Sequence, residues 1–433
     1  MARPNGRVLI RAVTRPLIFL AVALGLSPLL TAQNAPLTIQ RAVELAVERN
    51  ERPAIAETVV EAAQARVNRA RTVFFPRIDI NGNWRNDYGD PTERTLSTSA
   101  LLTQPVFDAR VFPLYRQQRF LRDAARLNAD DTRRLLGFDA AASFVTTLSF
   151  EQVLLAAEHR REFAQTNLDD VRARFEAGLV SSNDVTRAEL ELATAVRGVA
   201  QAAGNVQAAR VELATLLNAD VDGPLAAPVE LLEAAAAPPQ TTSERIASAQ
   251  QNRPDIAATR SELEAQRAFA QEPSARFLPS VLLQAQTRNI NDGPLSARNN
   301  DGFLAVSFAW PVFDAGVRHA DRAERTAVMR GLELDLQASL REVERQLRSA
   351  GVQLSTEQAA LREATAALRA ARKNADETNT LYREGLASAL ELADATQRLF
   401  EAEVAEVTAR YRMTLAYLAL QEAQGAMPLG EGR

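Results

Sequence analysis

The pentapeptide PVFDA occurs twice, at residues 105–109 within QPVFDARV and at residues 311–315 within WPVFDAGV, 206 positions apart. Its surroundings recur with it in the same order, at offsets that drift only between 201 and 207 residues. Such a collinear set of landmarks indicates an internal duplication. The other three pairs are RNERPAI with QNRPDI around Pro53 and Pro254, FFPRI with FLPSV around Pro76 and Pro279, and RFEAGLVS with YREGLAS around Gly178 and Gly385.

Upstream of each PVFDA motif the apolar period changes from 3.6 to 2, which predicts a strand. In RIDINGNWRNDY, apolar and strongly polar residues alternate, so the strand has one face of each kind. We predict a hairpin over 77–107 in the first repeat and one over 280–313 in the second. Four strands cannot close a transmembrane barrel, so the hairpins need partners from other chains.

Long helical stretches follow each hairpin. No proline occurs between residues 114 and 223, or between 312 and 427. We predict long helices at 110–177 and 316–384, each about 100 Å at 1.5 Å per residue. The first carries a coiled-coil seam through Phe138, Val145 and Leu148.

The first repeat (37–217) then comprises a helix at 37–73, the hairpin, the long helix, a tip at 178–183 and a return helix at 184–217. The second (243–424) comprises a helix at 243–274, the hairpin, the long helix, a tip at 385–388 and a return helix at 389–424. An irregular linker at 218–242 joins them, and 425–433 form a tail.

The pattern of the first 32 residues predicts an export signal. Four arginines precede the apolar run LIFLAVALGLSPLL and the small-residue stretch TAQNA, so cleavage is expected near residues 32–35. Removal of these arginines changes the formal net charge from −4 to about −8, which argues against a nucleic-acid partner.

The sequence contains few of the residue types that enzymes use as nucleophiles, general bases or metal ligands. The chain has no cysteine, two histidines and one lysine, Lys373, which excludes thiolate chemistry and a phosphate loop of the Walker type. We expect no cofactor, no metal site and no enzyme activity. A hydrolase built on the i, i+3 carboxylates Glu391 and Asp394 is the weakest alternative. A stronger alternative than the hydrolase is a non-conducting periplasmic coiled-coil scaffold or adaptor. This alternative explains neither the duplicated hairpins nor the export signal.

Taken together, the duplicated motifs, the N-terminal LTIQRAVELAVERN and the tip segments RFEAGLVSSNDV and YREGLASALELADA resemble the outer membrane factors of the TolC type. The resemblance covers the whole mature chain. It implies a mainly α fold with a small β part, in which three chains share a 12-strand transmembrane β-barrel continued by a periplasmic α-barrel. It further implies the exit duct of an efflux pump or type I secretion system in the bacterial outer membrane. The expected partners are a homotrimer, outer membrane lipid, a periplasmic adaptor and an inner-membrane pump of the RND, ABC or MFS type.

The resemblance also implies site residues. Glu391 and Asp394 match an acidic gate ring, and Asp184 and Tyr382 match a latch of the closed state. Where some relatives carry an arginine in the second tip, this chain has Ala387. The adaptor-docking tips correspond to Gly178, Leu179, Val180, Ser181, Gly385, Leu386, Ala387 and Ser388. The strand residues expected to face the membrane are Ile78, Ile80, Trp84, Tyr88, Leu304, Val306, Phe308 and Trp310.

Overall fold

A computed structural model of the chain describes residues 36–86, 94–238, 243–292 and 299–428. The predicted signal peptide and Tyr88 lie outside them. The first repeat contains helices α1 (Ile39–Arg49) and α2 (Glu51–Arg71), strands β1 (Arg77–Asn86) and β2 (Arg94–Phe107), and helices α3 (Val111–Glu176) and α4 (Ser182–Leu217). A short helix α5 (Val229–Ala236) follows. The second repeat contains α6 (Ser243–Asn252), α7 (Pro254–Ala270), α8 (Glu272–Ala275), β3 (Ser280–Asp292), β4 (Asn299–Ala309), α9 (Val317–Arg383) and α10 (Ala389–Ala423).

The four strands form one antiparallel sheet in the order β1-β2-β3-β4. Its register places Ile78 opposite Leu102, Leu102 opposite Ala285, and Ala285 opposite Leu304. Because directly opposed residues share a face, one side of the sheet is apolar. Within the described residues of a single chain, β1 and β4 have no neighbouring strand on their outer edges.

The two long helices run the length of the molecule and organise the others. Near the sheet α3 lies between α2 and α7, and α7 also contacts α9. Toward the opposite end α3 pairs with α4 and α10, and α10 pairs with α9. Two short helices placed end to end therefore flank each long one.

The main core lies midway along the helices, where α1, α3, α4, α5 and α10 meet around Phe144, Leu213 and Leu231. A second cluster lies between α7, α9 and α10 around Leu347 and Met413. Among the described residues α3 alone is long and apolar enough to span a membrane, with a mean hydropathy of 1.4 over its most apolar stretch, and 44% of that stretch is buried. It is the central core helix.

Two buried arginines anchor the end of α10 to the mid-body, which is the core region midway along the helices. Arg134 of α3 donates from Nη1 to the carbonyl oxygen of Glu422 at 2.9 Å. Arg253 donates from Nη1 to the carbonyl oxygen of Ala423 at 3.3 Å. Guanidinium groups at a helix C-terminus satisfy its free carbonyls and oppose the negative end of the helix dipole.

The structure breaks the predicted helix at 37–73 into α1 and α2. Asn50 adopts an extended conformation between them, and its Oδ1 accepts from the backbone N–H of Arg52 at 3.0 Å. Pro53 cannot donate to the carbonyl of Arg49, which accepts from Asn218 Nδ2 instead. Likewise Pro254 begins α7 and divides the predicted helix at 243–274. The expected irregular linker contains α5, whose Leu231 and Ala235 are buried.

The PVFDA motifs differ between the repeats. In the first, β2 extends to Phe107 and pairs with β3, with a bulge between Pro105 and Phe107. In the second, β4 ends at Ala309, so residues 310–313 of the predicted hairpin lie outside the strand. Ala315 and Gly316 then turn the chain into α9 with φ of 54° and 89°. The physical reason is position, because β2 is internal whereas β4 is an edge without a partner that would extend it.

Candidate functional site

Two regions carry the predicted site residues, the apolar face of the sheet and the two helical tips. On the sheet, six of the predicted membrane-facing side chains share one face and are 64–74% exposed. They are Ile78, Ile80, Trp84, Leu304, Val306 and Phe308. Trp310 lies beyond β4, where its Nε1 donates to the carbonyl of Phe277 at 3.0 Å.

The opposite face of the sheet is mainly polar, although Leu101, Leu282, Ile290 and Phe303 also lie on it. Arg77 pairs with Asp79 at 2.9 Å, and Arg288 pairs with the directly opposed Asp301. Residues 95, 97 and 99 of β2 are Thr, Ser and Ser on the same face. A sheet with one apolar and one polar face can separate lipid from water.

Each tip turns on a glycine in the left-handed region. Gly178 has φ of 74° and Gly385 has φ of 78°. The backbone N–H of Leu179 reaches back to the carbonyl of Arg174, and that of Leu386 to the carbonyl of Leu381, each at 2.8 Å. These bonds define Schellman motifs, which require glycine for its backbone and not for lack of space.

The turns leave Leu179 and Leu386 more than 70% exposed at the end of the molecule. Val180 and Ala387 instead pack against a small tip cluster that includes Leu168, Val171 and Leu392. The eight predicted tip residues thus divide into two turn glycines, two packing residues, two helix caps and two exposed leucines.

Identical capping boxes begin both return helices. Ser181 caps α4, and Asp184 Oδ2 accepts from its backbone N–H at 3.1 Å and from its Oγ at 2.8 Å. Ser388 caps α10, and Glu391 Oε2 accepts from the equivalent groups at 2.7 and 2.9 Å. The backbone N–H of Ser388, followed by its hydroxyl, holds the pKa of Glu391 below the usual glutamate value.

Asp394 lies one turn further along α10. It is exposed and forms an i, i+4 ion pair with Arg398, 2.9 Å between Oδ2 and Nε. The two carboxylates predicted to form a gate ring thus share one helix end, one held by the helix cap and the other by a neighbouring arginine.

Tyr382 is buried between the two helical hairpins, within the tip cluster. Burial raises the pKa of its hydroxyl, and that hydroxyl has no hydrogen-bond partner among the described residues. Among the described residues of one chain, therefore, Asp184 and Tyr382 form no hydrogen bond with each other.

Arg174, which the sequence analysis did not select, makes the contact between the hairpins instead. Its guanidinium lies 5.1 Å from the centre of the Tyr382 ring. It also donates to the carbonyls of Tyr382 and Arg383, both at 3.3 Å, at the end of α9. A basic residue in the last turn of α3 is a visible helix-end signal, but its engagement with the other hairpin is not.

Arg160 repeats this arrangement four turns nearer the mid-body. Its guanidinium pairs with Glu191 of α4 at 2.7 Å and lies 4.9 Å from the ring centre of Phe400 in α10. Two arginines of α3 thus each cover an aromatic ring of the second hairpin, a contact worth about 0.5–2 kcal/mol depending on solvent exposure.

Comparison with known proteins identifies the class. The profile of the family described as "Outer membrane efflux protein" matches residues 42–219 and 246–426, one segment for each repeat. This chain therefore belongs to the outer membrane efflux protein family, as its motifs predict. It is a transport protein of the bacterial outer membrane, with a channel role and no enzymatic one.

The relatives are distant in sequence. Outer membrane protein TolC of Escherichia coli is 21% identical over 386 residues, covering 85% of this chain and 78% of TolC. Cobalt-zinc-cadmium resistance protein CzcC of Cupriavidus metallidurans is 22% identical, covering 85% of each chain. Among solved structures, CusC superposes with a TM-score of 0.78 at 18% identity, covering 90% of this chain and 92% of CusC. The open-state outer membrane channel MtrE of Neisseria gonorrhoeae gives 0.76 at 20% identity, covering 90% and 89%.

Proposed function

We propose that three copies of this chain assemble into a continuous export duct that crosses the outer membrane and extends into the periplasm. The observation that carries this proposal is the four-stranded sheet with one apolar face, one polar face and two open edges. Three such sheets supply twelve strands, and a closed barrel satisfies the backbone of β1 and β4 in lipid. The helices α3 and α9 continue the wall for about 100 Å.

In this assembly the apolar face meets lipid and the polar face lines the water-filled lumen. Ile78, Ile80, Leu304, Val306 and Phe308 form part of the lipid-facing band. Trp84 lies toward the far end of its strand and Trp310 beyond the near end of β4, which suits the two membrane–water interfaces where aromatic side chains concentrate.

The gate lies at the tips. Three copies of Glu391 and Asp394 bring up to six carboxylates together, and such a ring favours cations. Asp184 and Tyr382 remain candidates for a latch between neighbouring chains, because the buried Tyr382 hydroxyl needs a partner and the described residues of one chain offer none. Arg174 adds a link between the two hairpins of each chain, which supports a closed resting state.

Leu179 and Leu386 are proposed to dock a periplasmic adaptor, since they are large apolar side chains exposed at the extreme end of the molecule. Adaptor binding would then release the gate, and an inner-membrane pump of the RND, ABC or MFS type would supply the energy. The chain itself is a passive conduit. Leu386→Asp should abolish export while trimers persist, and loss of trimers would contradict the docking role.

The experiment that tests the duct is conductance of the purified, detergent-solubilised protein in a planar bilayer. We expect a particle of trimer mass that gives discrete, cation-selective current steps. The selectivity should weaken in Glu391→Ala/Asp394→Ala. Absence of steps from a well-folded trimer, in both the wild type and this double variant, would favour the non-conducting scaffold instead.

A further inference from the structure

The first repeat contains an open cleft directly below the sheet, between α2 and α3. Its volume is about 460 Å³, which lies within the range of ligand pockets. Val73 precedes β1 by four residues and Val111 follows β2 by four, so the cleft lies where strands give way to helices. Its main lining residues are Arg66, Arg69, Val73, Val111, Leu114 and Tyr115.

The cleft combines an apolar wall with unneutralised positive charge. Arg66 and Arg69 are exposed, and within the described part of the chain neither forms an ion pair. Between residues 62 and 121 the only carboxylates that the structure describes are Asp79 and Asp108. Each is already bound to an arginine two residues away, at 2.9 and 2.6 Å. An anion is therefore the natural complement of this site.

The second repeat shows the same position closed. Counting back from Pro76 and Pro279, Phe269 replaces Arg66 and Glu272 replaces Arg69. Arg325 lies 3.7 Å from the centre of the Phe269 ring and pairs with the buried Glu272 at 2.7 Å. The fold can thus seal this space with internal partners, and the first repeat does not.

Helical periodicity indicates which way the cleft opens. Ala63 and Val67 form the buried row of α2, which packs on α3. At 100° per residue, Ala70, Arg66 and Arg69 lie about 40°, 80° and 140° to one side of the middle of that row. A second, polar groove that includes Glu57, Glu61 and Gln64 lies on the other side of the same helix pair. In a wall around a water-filled duct the polar groove faces the lumen, which leaves the apolar cleft on the outer surface.

We propose that this cleft binds a glycerophospholipid of the periplasmic leaflet, an inference that rests on the proposed transmembrane barrel. The acyl chain lies against Val73, Val111 and Leu114, and the phosphate diester is held by Arg66 and Arg69. Guanidinium groups bind phosphate oxygens through paired hydrogen bonds, and basic clefts between helices hold lipid headgroups. The upper end of the cleft, at Val73 and Val111, lies just beyond the strand ends and therefore next to the headgroup layer, which is roughly 5–8 Å thick on each side of the hydrocarbon.

The test measures phospholipid retention by the full-length trimer. Protein delipidated in non-ionic detergent is titrated with phosphatidylglycerol, and bound lipid is counted by native mass spectrometry. Arg66→Gln/Arg69→Gln should weaken retention roughly 30-fold, because each arginine near an anionic headgroup contributes about a factor of five. The matched control Arg161→Gln/Arg197→Gln removes the same charge from exposed arginines of α3 and α4, which form no ion pair among the described residues, and should bind as wild type. Equal retention by the wild type and Arg66→Gln/Arg69→Gln would overturn the proposal.

A second variant separates a lipid from a free phosphate. Ala70→Phe fills the cleft but leaves both arginines, so it should also lose phosphatidylglycerol, and excess inorganic phosphate should not displace the lipid from the wild type. Retained binding in Ala70→Phe, or displacement by phosphate, would overturn the lipid assignment. Conductance of the same preparations distinguishes failure of the lipid site from failure of the proposed duct. Conducting trimers without selective retention contradict only the lipid site, whereas folded protein that never conducts contradicts the proposed duct.

Discussion

At the residue scale, the tips show how one local motif serves two positions. Asp184 and Glu391 occupy equivalent places, 207 residues apart, as the third helical residue after a serine cap. The family resemblance assigns them different roles, latch and gate. The structure adds a role common to both, since each carboxylate first satisfies the backbone and hydroxyl of its own cap. Any contribution to gating is made by a carboxylate that is already held in place.

Glu391 should therefore keep its charge under acidic conditions. Its pKa is lowered, so the ionised form persists below the ordinary glutamate value of about 4.3 and is lost only as the pH falls through the lowered pKa. Cation selectivity that depends on Glu391 should follow the same course in reversal-potential measurements under a salt gradient. Ser388→Ala removes the second of the two causes, so selectivity should fade at a higher pH than in the wild type. Ser181→Ala is the control, and an identical midpoint in all three proteins would contradict this account.

Arg174 and Tyr382 make a second prediction at this scale. Arg174→Ala removes the ring contact and both carbonyl bonds at the end of α9, so we expect a higher open probability in bilayer recordings. Arg172→Ala is the control, because Arg172 pairs with Glu189 inside its own hairpin at 2.8 Å. Tyr382→Phe should also raise the open probability, because the proposed latch needs the Tyr382 hydroxyl to find a partner in a neighbouring chain. Wild-type gating by Tyr382→Phe would contradict that latch, and wild-type gating by Arg174→Ala would contradict the link within the chain.

At the element scale, the same motif adopts two structures because its neighbours differ. Pairing with β3 draws the first PVFDA into β2, whereas the second PVFDA follows an edge strand and becomes a turn. The structure around each proline break in the helices likewise depends on the neighbouring elements. Asn50 closes the gap before Pro53 by donating from Nδ2 to the carbonyl of Leu216 at 3.0 Å. An element's end is thus decided by which backbone groups find partners.

The two faces of β4 should respond differently to charge. Val306 lies on the apolar face, and the adjacent Ser307 lies on the polar one. Val306→Arg should destabilise the membrane-inserted protein by about 2–4 kcal/mol if it faces lipid near the midplane, whereas Ser307→Arg should be tolerated in the lumen. The measurement is the yield and thermal stability of folded trimers reconstituted in lipid vesicles. Equal loss in both variants would show that the faces are not divided between lipid and water.

At the scale of the whole molecule, a single chain leaves open sides that the proposed trimer would cover. Its sheet ends in the unpaired edges of β1 and β4, and α2, α4 and α9 form the sides of the helical part. Apolar residues along those sides, such as Val59, Leu190 and Leu334, stay more than half exposed in the described part of the chain. Both features are expected of a subunit that completes itself against identical copies.

The absence of cysteine from the sequence makes this assembly testable by crosslinking. Cysteines at Ile80 of β1 and Val306 of β4 are separated within one chain by two strands, or about 14 Å, which is too far for a disulfide. Oxidation of the double-cysteine protein, with neighbouring β4 positions scanned for register, should yield covalent dimers and trimers. Each single-cysteine protein is the control. Monomers alone at every register would contradict closure of the barrel through these edges.

The mainly helical class, the single small sheet and the tandem repeats could all be predicted from the chain alone. They depend on local patterns, namely period-2 alternation, long proline-free helical runs and the four duplicated landmarks. The tip turns were predictable for the same reason, since a left-handed residue at a helix end favours glycine whatever surrounds it.

Tertiary structure alone decided which side chains meet. Arg174 contacts Tyr382, and Arg134 and Arg253 anchor the end of α10. Arg325 closes the space below the sheet in the second repeat by pairing with Glu272, whereas the first repeat leaves a cleft there. All these contacts join residues far apart in the chain. The sequence shows an arginine but does not show whether its guanidinium group faces water, a carbonyl or an aromatic ring. Its role follows from the partner that folding brings within a few ångströms, because hydrogen bonds and contacts with aromatic rings act only at that range.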